Sequence, residues 1–401
     1  MIADSRKIIL KQNTKWPIVQ MKDVCEIDPS KRELNGIDKN TDVSFGMMAD
    51  LGEHKRPFIP KESKKIRDVL KGGYSYFKEN DVLLAKMTPC FENGKSGIAL
   101  NLKNGIGFGS TEFYVLRRKG EIVSDWIYYI ISSDNFLNKG RLSLVGTTGR
   151  RRLLKQYVES FSFPLPGLDE QKQIAVLFQS IDTNIEQVES QEQNLLNLKK
   201  QLLHDLFESK QLGNTLKAND FEKIKFEKLA LNISERVEPQ KTSLDTYVGL
   251  EHLDPDSLTI ARTGKPDDVI GTKLKIYIGD IIFGKRRAYQ RKVAVSHFDG
   301  IASAHSMILR ANEEHIEKDF LPFFMQSDLF MNRAIQISEG SLSPTIKWKT
   351  LAAQEFWLPK REKQKTLAVL FKQFDNTSDQ LQRQKTTLKN LKQNLLREIL
   401  G

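Results

Sequence analysis

The sequence predicts an α+β chain in which two globular, mixed α/β domains alternate with two long helices that form a coiled coil, the second half repeating the first. Three observations predict this. Residues 165–207 and 358–400 align without a gap at an offset of 193 (358 − 165). Both stretches carry an apolar side chain at every seventh position of one series. The segments ahead of them share an order of strand-like and helix-like patterns at nearly the same offset.

The helices come first because they organise the rest. In one series Ile174, Ile181, Val188, Leu195 and Leu202 match Leu367, Phe374, Leu381, Leu388 and Leu395. A period of seven turns one seam of each helix toward a partner, as in a coiled coil. The adjoining series is mixed, with Phe178, Ile185, Glu192, Lys199 and Leu206 against Phe371, Ser378, Lys385, Lys392 and Ile399. Its polar members fall mid-helix in both copies, where they weaken the seam but help fix register. The expected interface is the apolar members of both series, from Ile174 to Leu206 and from Leu367 to Ile399. Two separate amphipathic helices, each covering its own domain, is the competing reading; duplication of the heptad counts against it.

A chain of 401 residues holds two or three domains, each with its own core. Lys and Arg exceed Asp and Glu by 62 to 51, giving a formal charge of +11 that suits a polyanion partner without establishing one. Cys25 and Cys90 form no CxxC and no metal-ligand spacing, so buried reduced thiols are expected. The first residues, MIADSRKIILKQNTKW, lack a signal peptide's apolar core, and no run approaches the ~18 apolar residues of a membrane span. A soluble, cytoplasmic protein with no membrane partner is the expectation.

In chain order, residues 17–164 read as a mixed α/β domain. Strands are expected at 43–48, 81–86, 96–100 and 111–116, and one helix at 124–137 opening with Ser124 and Asp125 as caps. Glycines at 72–73, 94–97 and 105–109 read as loops. The basic stretch 150–157 leads to the first long helix. After a short linker near 208–220 the pattern restarts: 226–233 is like 21–27, 280–285 like 81–86, 302–310 like 109–117, 318–330 like 124–136, and 339–359 stands in the place of 145–166. The divisions are therefore 1–164, 165–212, 213–357 and 358–401. The helices repeat closely and the globular domains loosely, as a shared scaffold with separate recognition surfaces would.

Both long helices are opened by Leu-Pro-x-x-x-x-Gln-Lys: Leu165, Pro166, Gln171 and Lys172, then Leu358, Pro359, Gln364 and Lys365. Ala175-Val176-Leu177-Phe178 recurs at Ala368, and the first domain holds Gly109-Ser110-Thr111-Glu112-Phe113 where the second has Ser303-Ala304-His305. In these residues and in the duplicated order of nearly the whole chain, the sequence resembles the DNA-specificity (S) subunit of Type I restriction-modification enzymes. The resemblance implies two target recognition domains, each reading one half of a bipartite site in double-stranded DNA. It implies long helices packed antiparallel, holding those domains apart and docking two modification subunits. Those subunits bind S-adenosylmethionine and methylate adenine, and restriction (motor and nuclease) subunits join for cleavage. The chain itself would carry no catalysis and no cofactor.

The residues agree with that last point. Gly94-Lys95-Ser96 suggests a phosphate loop, but Pro89 stands where the first glycine of GxxxxGK[ST] belongs, so a structural turn is the better reading. Gly105-x-Gly107-x-Gly109 has no strand–loop–helix frame for a cofactor. No Asn/Asp-Pro-Pro-aromatic signature is present. Glu170 sits at a helix start, where the dipole favours an acid. His297 and His305 do not make a metal spacing.

Basic runs with small polar or aromatic neighbours are the expected DNA contacts. In the first domain these are Lys86 with Thr88, Asn93 with Lys95, and Thr147, Thr148, Arg150, Arg151 and Arg152. In the second they are Lys285, Arg286, Arg287, Tyr289, Gln290, Arg291 and Lys292, then Ser341 and Ser343 with Lys347 and Lys349. Arginine can clamp guanine with two hydrogen bonds and Gln or Asn can pair with adenine, while lysine and hydroxyls hold phosphate. For any single basic residue a solvated surface charge is the competing reading. Two other functional classes stay open: a methyltransferase fused to its own recognition domain, against which the missing cofactor signatures count, and a structural coiled-coil adaptor, which would give no site-specific DNA binding.

Overall fold

A computed structural model describes residues 16–147, 149–208 and 218–400. They form two compact units, one from 16–189 with 383–400 and the other from within 190–382. Each unit holds one globular domain and one half of each long helix, Leu168–Phe207 and Arg361–Leu400.

The main sheet of the first unit runs Cys25–Ile27, Phe113–Arg118, Val82–Ala85, Ser96–Ala99, Pro57–Phe58. The second unit builds the counterpart from Ala230–Ile233, Ser306–Ala311, Ile281–Gly284 and Val293–Val295. Each sheet starts the same way, with a helical turn feeding its first strand: Met21–Val24 in one, Phe226–Leu229 in the other. This is the basis of the likeness between 21–27 and 226–233. A second sheet in each unit contains one parallel pair, Asp42–Gly46 with Ile106–Gly109 and Tyr247–Val248 with Gly300–Ala302.

Three local expectations are corrected. The helix expected over 124–137 is two helices, Ser124–Ile131 and Asp134–Leu142, because Ser133 accepts a hydrogen bond from Phe136 N at 3.3 Å and caps the second. The second unit repeats the break, with Ser327 capping Asp328–Gln336 at 3.2 Å. Ser124 and Asp125 are not the caps: Val123 occupies that position, Ser124 Oγ donates to Asn80 O at 2.6 Å, and Asp125 accepts from Gln179 at 2.8 Å. Finally, the glycines of 96–99 and 106–109 lie in strands. A Cβ on Gly107 would sit 2.0 Å from the Phe77 ring and one on Gly109 2.2 Å from Gly46 O, so these positions allow strands and rings to approach closely.

The long helices start three residues later than expected, because the Leu-Pro openings finish or follow the strands Ser162–Pro164 and Glu355–Pro359. Gln171 and Gln364 are buried and latch each helix start to its own domain. Gln171 accepts from Val123 N at 3.0 Å and donates to Glu121 O at 3.0 Å and Pro166 O at 2.8 Å. Gln364 accepts from Glu317 N at 2.9 Å and donates to Pro359 O at 2.8 Å.

In the first unit Asp182 meets Lys392 and Glu189 meets Lys389, so the helix halves run antiparallel. In the second, Lys199 meets Asp375 while Leu206 packs in one cluster with Leu367, again antiparallel. The seam at the helix ends is also domain core. Ile174, Phe178, Ile181, Ile185, Leu395 and Ile399 are buried in one cluster with Trp126, Tyr129 and Phe136, and Leu388 packs on its edge. Leu206, Leu367 and Phe371 are buried with Phe320, Phe323 and Phe324, with Leu202 and Phe374 alongside. Phe178 lies 4.7 Å from Tyr129 and Phe371 5.5 Å from Phe323, ring to ring. Each such buried phenylalanine contributes about 1.5–3 kcal/mol. Val188 is buried, while Leu195 and Leu381 are half-buried.

Candidate nucleic-acid interface

In each unit a hairpin is stitched to the residue that follows an interior strand of the main sheet, Val82–Ala85 in the first and Ile281–Gly284 in the second. In the first unit Leu144–Val145 pairs with Arg152–Leu153. Leu153 N donates to Lys86 O at 2.8 Å, and Thr88 and Arg151 exchange bonds at 2.9 and 3.0 Å. In the second, Glu339 and Thr345 exchange backbone bonds at 3.0 and 2.9 Å, and Ile346 N donates to Lys285 O at 3.0 Å. Leu153 and Ile346 are a pair at the 193 offset, so Lys86 and Lys285 occupy equivalent places although their sequence numbers differ by 199.

Both lysines are half-buried, and burial pushes both ammonium groups below the ordinary lysine range. Lys86 Nζ is 3.5 Å from Phe113 O and 5.2 Å from the Tyr114 ring centre. Among the described residues neither ammonium is ion-paired to a carboxylate, and a partly desolvated cation of this kind is a place where an anion can dock at little desolvation cost.

The remaining expected contacts divide sharply. In the first unit Arg150 and Thr147 are exposed on the turn, which Gly146 opens with φ +123°. Thr148 lies outside the described residues. Arg151 is paired with Glu92 at 2.7 Å and Arg152 with Glu112 at 2.9 Å. Asn93 donates to Glu53 at 3.0 Å and Lys95 to Met48 O at 3.2 Å. Lys95 thus supports the 48–54 loop; of Gly94-Lys95-Ser96 only Gly94 lies in a turn, Lys95 bridges to Glu53 and Ser96 opens the strand Ser96–Ala99.

In the second unit Arg286 reaches His305 Nε2 and Ser343 Oγ, each at 3.1 Å, and Arg287 reaches Ser343 Oγ at 3.4 Å. Arg287 holds left-handed backbone with φ +59°, which a side chain with a Cβ rarely adopts. Tyr289, Ser341 and Lys349 are exposed, Gln290 is half-buried, and Lys347 is paired with Glu339 at 2.6 Å. Arg291 and Lys292 are built into the domain instead. Arg291 joins Asp256 at 2.6 Å, Asp328 at 2.9 Å and Gln326 O at 2.7 Å, and Lys292 caps Leu250 O at 2.6 Å. The basic run 285–292 therefore turns Arg287 and Tyr289 to the surface and builds Arg291 and Lys292 into the scaffold.

Sequence reasoning missed the partners Glu92, Glu112 and His305 as members of the site. The mismatch of Glu112 and His305 at the 193 offset was the available signal.

The family model for the Type I restriction modification DNA specificity domain matches residues 13–198 and 251–390. The chain belongs to that family. The Type I restriction enzyme EcoAI specificity subunit of Escherichia coli is 31% identical over 251 residues, covering 62% of this chain and 40% of that one. The EcoEI specificity subunit, also of Escherichia coli, is 31% identical over 192 residues, covering 48% and 32%. The chain thus spans less than half the length of these two relatives. The MjaVIII specificity subunit of Methanocaldococcus jannaschii is 22% identical over 409 residues, covering 96% and 92%. Among solved structures, a Type-I restriction-modification system S subunit from M. genitalium superposes with a TM-score of 0.55 at 14% identity, covering 96% of each chain. A chain from a study of type I R-M complex assembly and conformational transition gives 0.60 at 14%, covering 96% and 97%. The fold of this specificity-family chain is thus that of known S subunits. Among its described residues no helix is long and apolar enough to cross a membrane.

Proposed function

We propose that this chain is the DNA-reading subunit of a Type I restriction-modification system, acting in the cytoplasm. Residues 1–164 and 213–357 serve as target recognition domains, each reading one half of a bipartite site in double-stranded DNA. Residues 165–212 and 358–401 supply the helices that set the spacing of the half-sites and dock two modification subunits. S-adenosylmethionine belongs to those partners, restriction subunits join the complex for cleavage, and this chain performs neither reaction.

The observation that carries the proposal is the equivalent placement of Lys86 and Lys285, each half-buried, bonded through its carbonyl to a hairpin and accompanied by an exposed arginine, Arg150 in one unit and Arg287 in the other, in two independently cored units. Two such faces on one chain suit two contacts along one polyanion, and the net charge of +11 suits the same partner. The test is a map of methylated adenines in cells with and without this gene. A bipartite methylated motif that vanishes with the gene supports the proposal; an unchanged methylation pattern sinks it. Methyl transfer by the chain purified free of partners would defeat the assignment of catalysis to another subunit.

A further inference from the structure

We propose that the residue at the 112/305 position decides how much positive charge each hairpin offers to DNA: Glu112 withdraws Arg152 from the nucleic acid in the first unit, and His305 leaves Arg286 available in the second. The inference rests on the DNA-reading function above and deepens it by assigning the electrostatic anchor to one half-site.

The two positions are structurally equivalent. Glu112 N is bonded to Ser110 Oγ at 3.2 Å and His305 N to Ser303 Oγ at 3.3 Å, so the same serine-capped turn presents both side chains. Each receives a guanidinium from the hairpin bridge, but from opposite strands. In the first unit the bridge pairs Met87 with Arg152; in the second it pairs Arg286 with Thr345. The arginine has changed strand and kept its destination.

What waits at that destination differs in charge. Arg152 Nη2 meets both Glu112 oxygens at 2.9 and 3.1 Å, so the pair is formally neutral. Arg286 Nη1 meets His305 Nε2 at 3.1 Å. A guanidinium only donates, so this nitrogen is the acceptor and carries no proton. Burial and the neighbouring Arg286, Lys285 and Lys273 lower the imidazole's proton affinity further. Arg286 therefore keeps its full charge while being held in place. The contrast extends to the next residue: Arg151 is paired with Glu92, whereas Arg287 leans on Ser343 and contacts no carboxylate among the described residues.

To reach Arg152 or Arg151 a phosphate must displace Glu112 or Glu92, whereas Arg286 and Arg287 can be reached with no carboxylate displaced from either. At this position the second unit thus releases counterions that the first, already neutralised by Glu112, does not, and adds correspondingly to the salt dependence.

The full chain is titrated with a random-sequence duplex at several salt concentrations, as wild type and as His305→Glu, His305→Ala and Glu112→Gln. Each phosphate contact contributes about 0.9 to the slope of log affinity against log salt. His305→Glu should flatten the slope by about one contact, His305→Ala should leave it unchanged, and Glu112→Gln should steepen it by about one contact. A wild-type slope in both His305→Glu and Glu112→Gln overturns the inference, as does an equal loss in His305→Glu and His305→Ala, which would make His305 a structural prop. If His305→Glu does not fold, Glu112→Gln decides alone. Wild-type protein with no salt-dependent affinity for the duplex overturns the DNA-reading function itself, a separate outcome.

Discussion

Lys392 Nζ sits 2.5 Å from Asp182 Oδ1 in the first unit, and the residues 193 positions away in each case, Lys199 and Asp375, make the same 2.5 Å contact in the second. Because the repeat exchanges the helices, the lysine comes from one helix in the first pair and from the other helix in the second. Aromatic rings flank both cations: Lys392 lies 5.4 Å from the Tyr129 ring centre and Lys199 5.2 Å from that of Phe323. Tyr129 donates to Asp182 at 3.2 Å, whereas Phe323 cannot, and Gln326 instead accepts from Lys199 at 3.2 Å. Such pairs add little net stability when complete, but half of one is costly.

Lys392→Met should therefore destabilise the protein by about 3–5 kcal/mol, because Asp182, only 13% exposed, is left as an unpaired buried charge. Lys199→Met should cost less, since the Asp375 side chain is 34% exposed and water can take over part of its solvation. Lys392→Met with Asp182→Leu should recover most of the loss. Urea unfolding of the three variants checks the order; equal midpoints for both single variants would refute it.

Arg287 pairs an unfavourable backbone with an exposed cation. Arg287→Gly should leave the melting temperature unchanged or raise it, as a left-handed side-chain residue costs about 1–2 kcal/mol that glycine avoids. The same change should weaken DNA binding. A stability loss with intact binding would mean that the residue serves the fold.

Lys285 gives DNA binding a pH dependence with a defined sign. A lysine must be protonated to hold phosphate, and burial depresses this group below its reference value of 10.5. Affinity should thus begin to fall, as pH rises, before ordinary lysines titrate, and binding should take up protons in that window. Lys285→Arg keeps its charge throughout and should flatten the profile. An unchanged alkaline limb in Lys285→Arg would remove Lys285 from the contact.

If the helices set the half-site spacing, removing one heptad from each, residues 188–194 with 381–387, keeps both apolar series in phase and shortens the scaffold by about 10 Å, or about three base pairs. Methylome mapping of this variant should show the same half-sites with a shorter spacer, or no methylation through lost rotational phase. Methylation at the original spacing would mean that another part of the complex is the ruler. A deletion from one helix alone should damage assembly more, because it puts the Lys–Asp pairs out of register.

The long helices and most seam positions were legible because a heptad written twice is hard to mistake. The sheets were legible as strands but not as two layers, since pairing such as Asp42–Gly46 beside Ile106–Gly109 depends on partners over 60 residues apart. Gly107 and Gly109 misled because composition alone does not separate a turn from a strand pressed against Phe77 and Gly46. The break at Ser132-Ser133 was written in the sequence as a cap but lay inside an apolar pattern that looked continuous. At the candidate DNA-contacting surface the basic residues were visible and their carboxylate partners were not: Glu92 and Glu112 lie about 40 to 60 positions from the arginines they neutralise. Nor does sequence alone distinguish Arg287 on the surface from Arg291 among Asp256 and Asp328.

The first unit's core is closed by Leu395, Leu396, Ile399 and Leu400, which join a cluster begun by Met21 and Cys25. The second unit lies within 190–382. On the ribosome the domain translated first is therefore the one finished last. Its cluster around Trp126 and Tyr129 gains Leu395, Leu396, Ile399 and Leu400 only after residues 190–382 have been made. A variant lacking residues 395–400 would therefore keep every member of the second unit's core and lose four from the first, so a change in the second long helix is felt in the domain that precedes the first long helix.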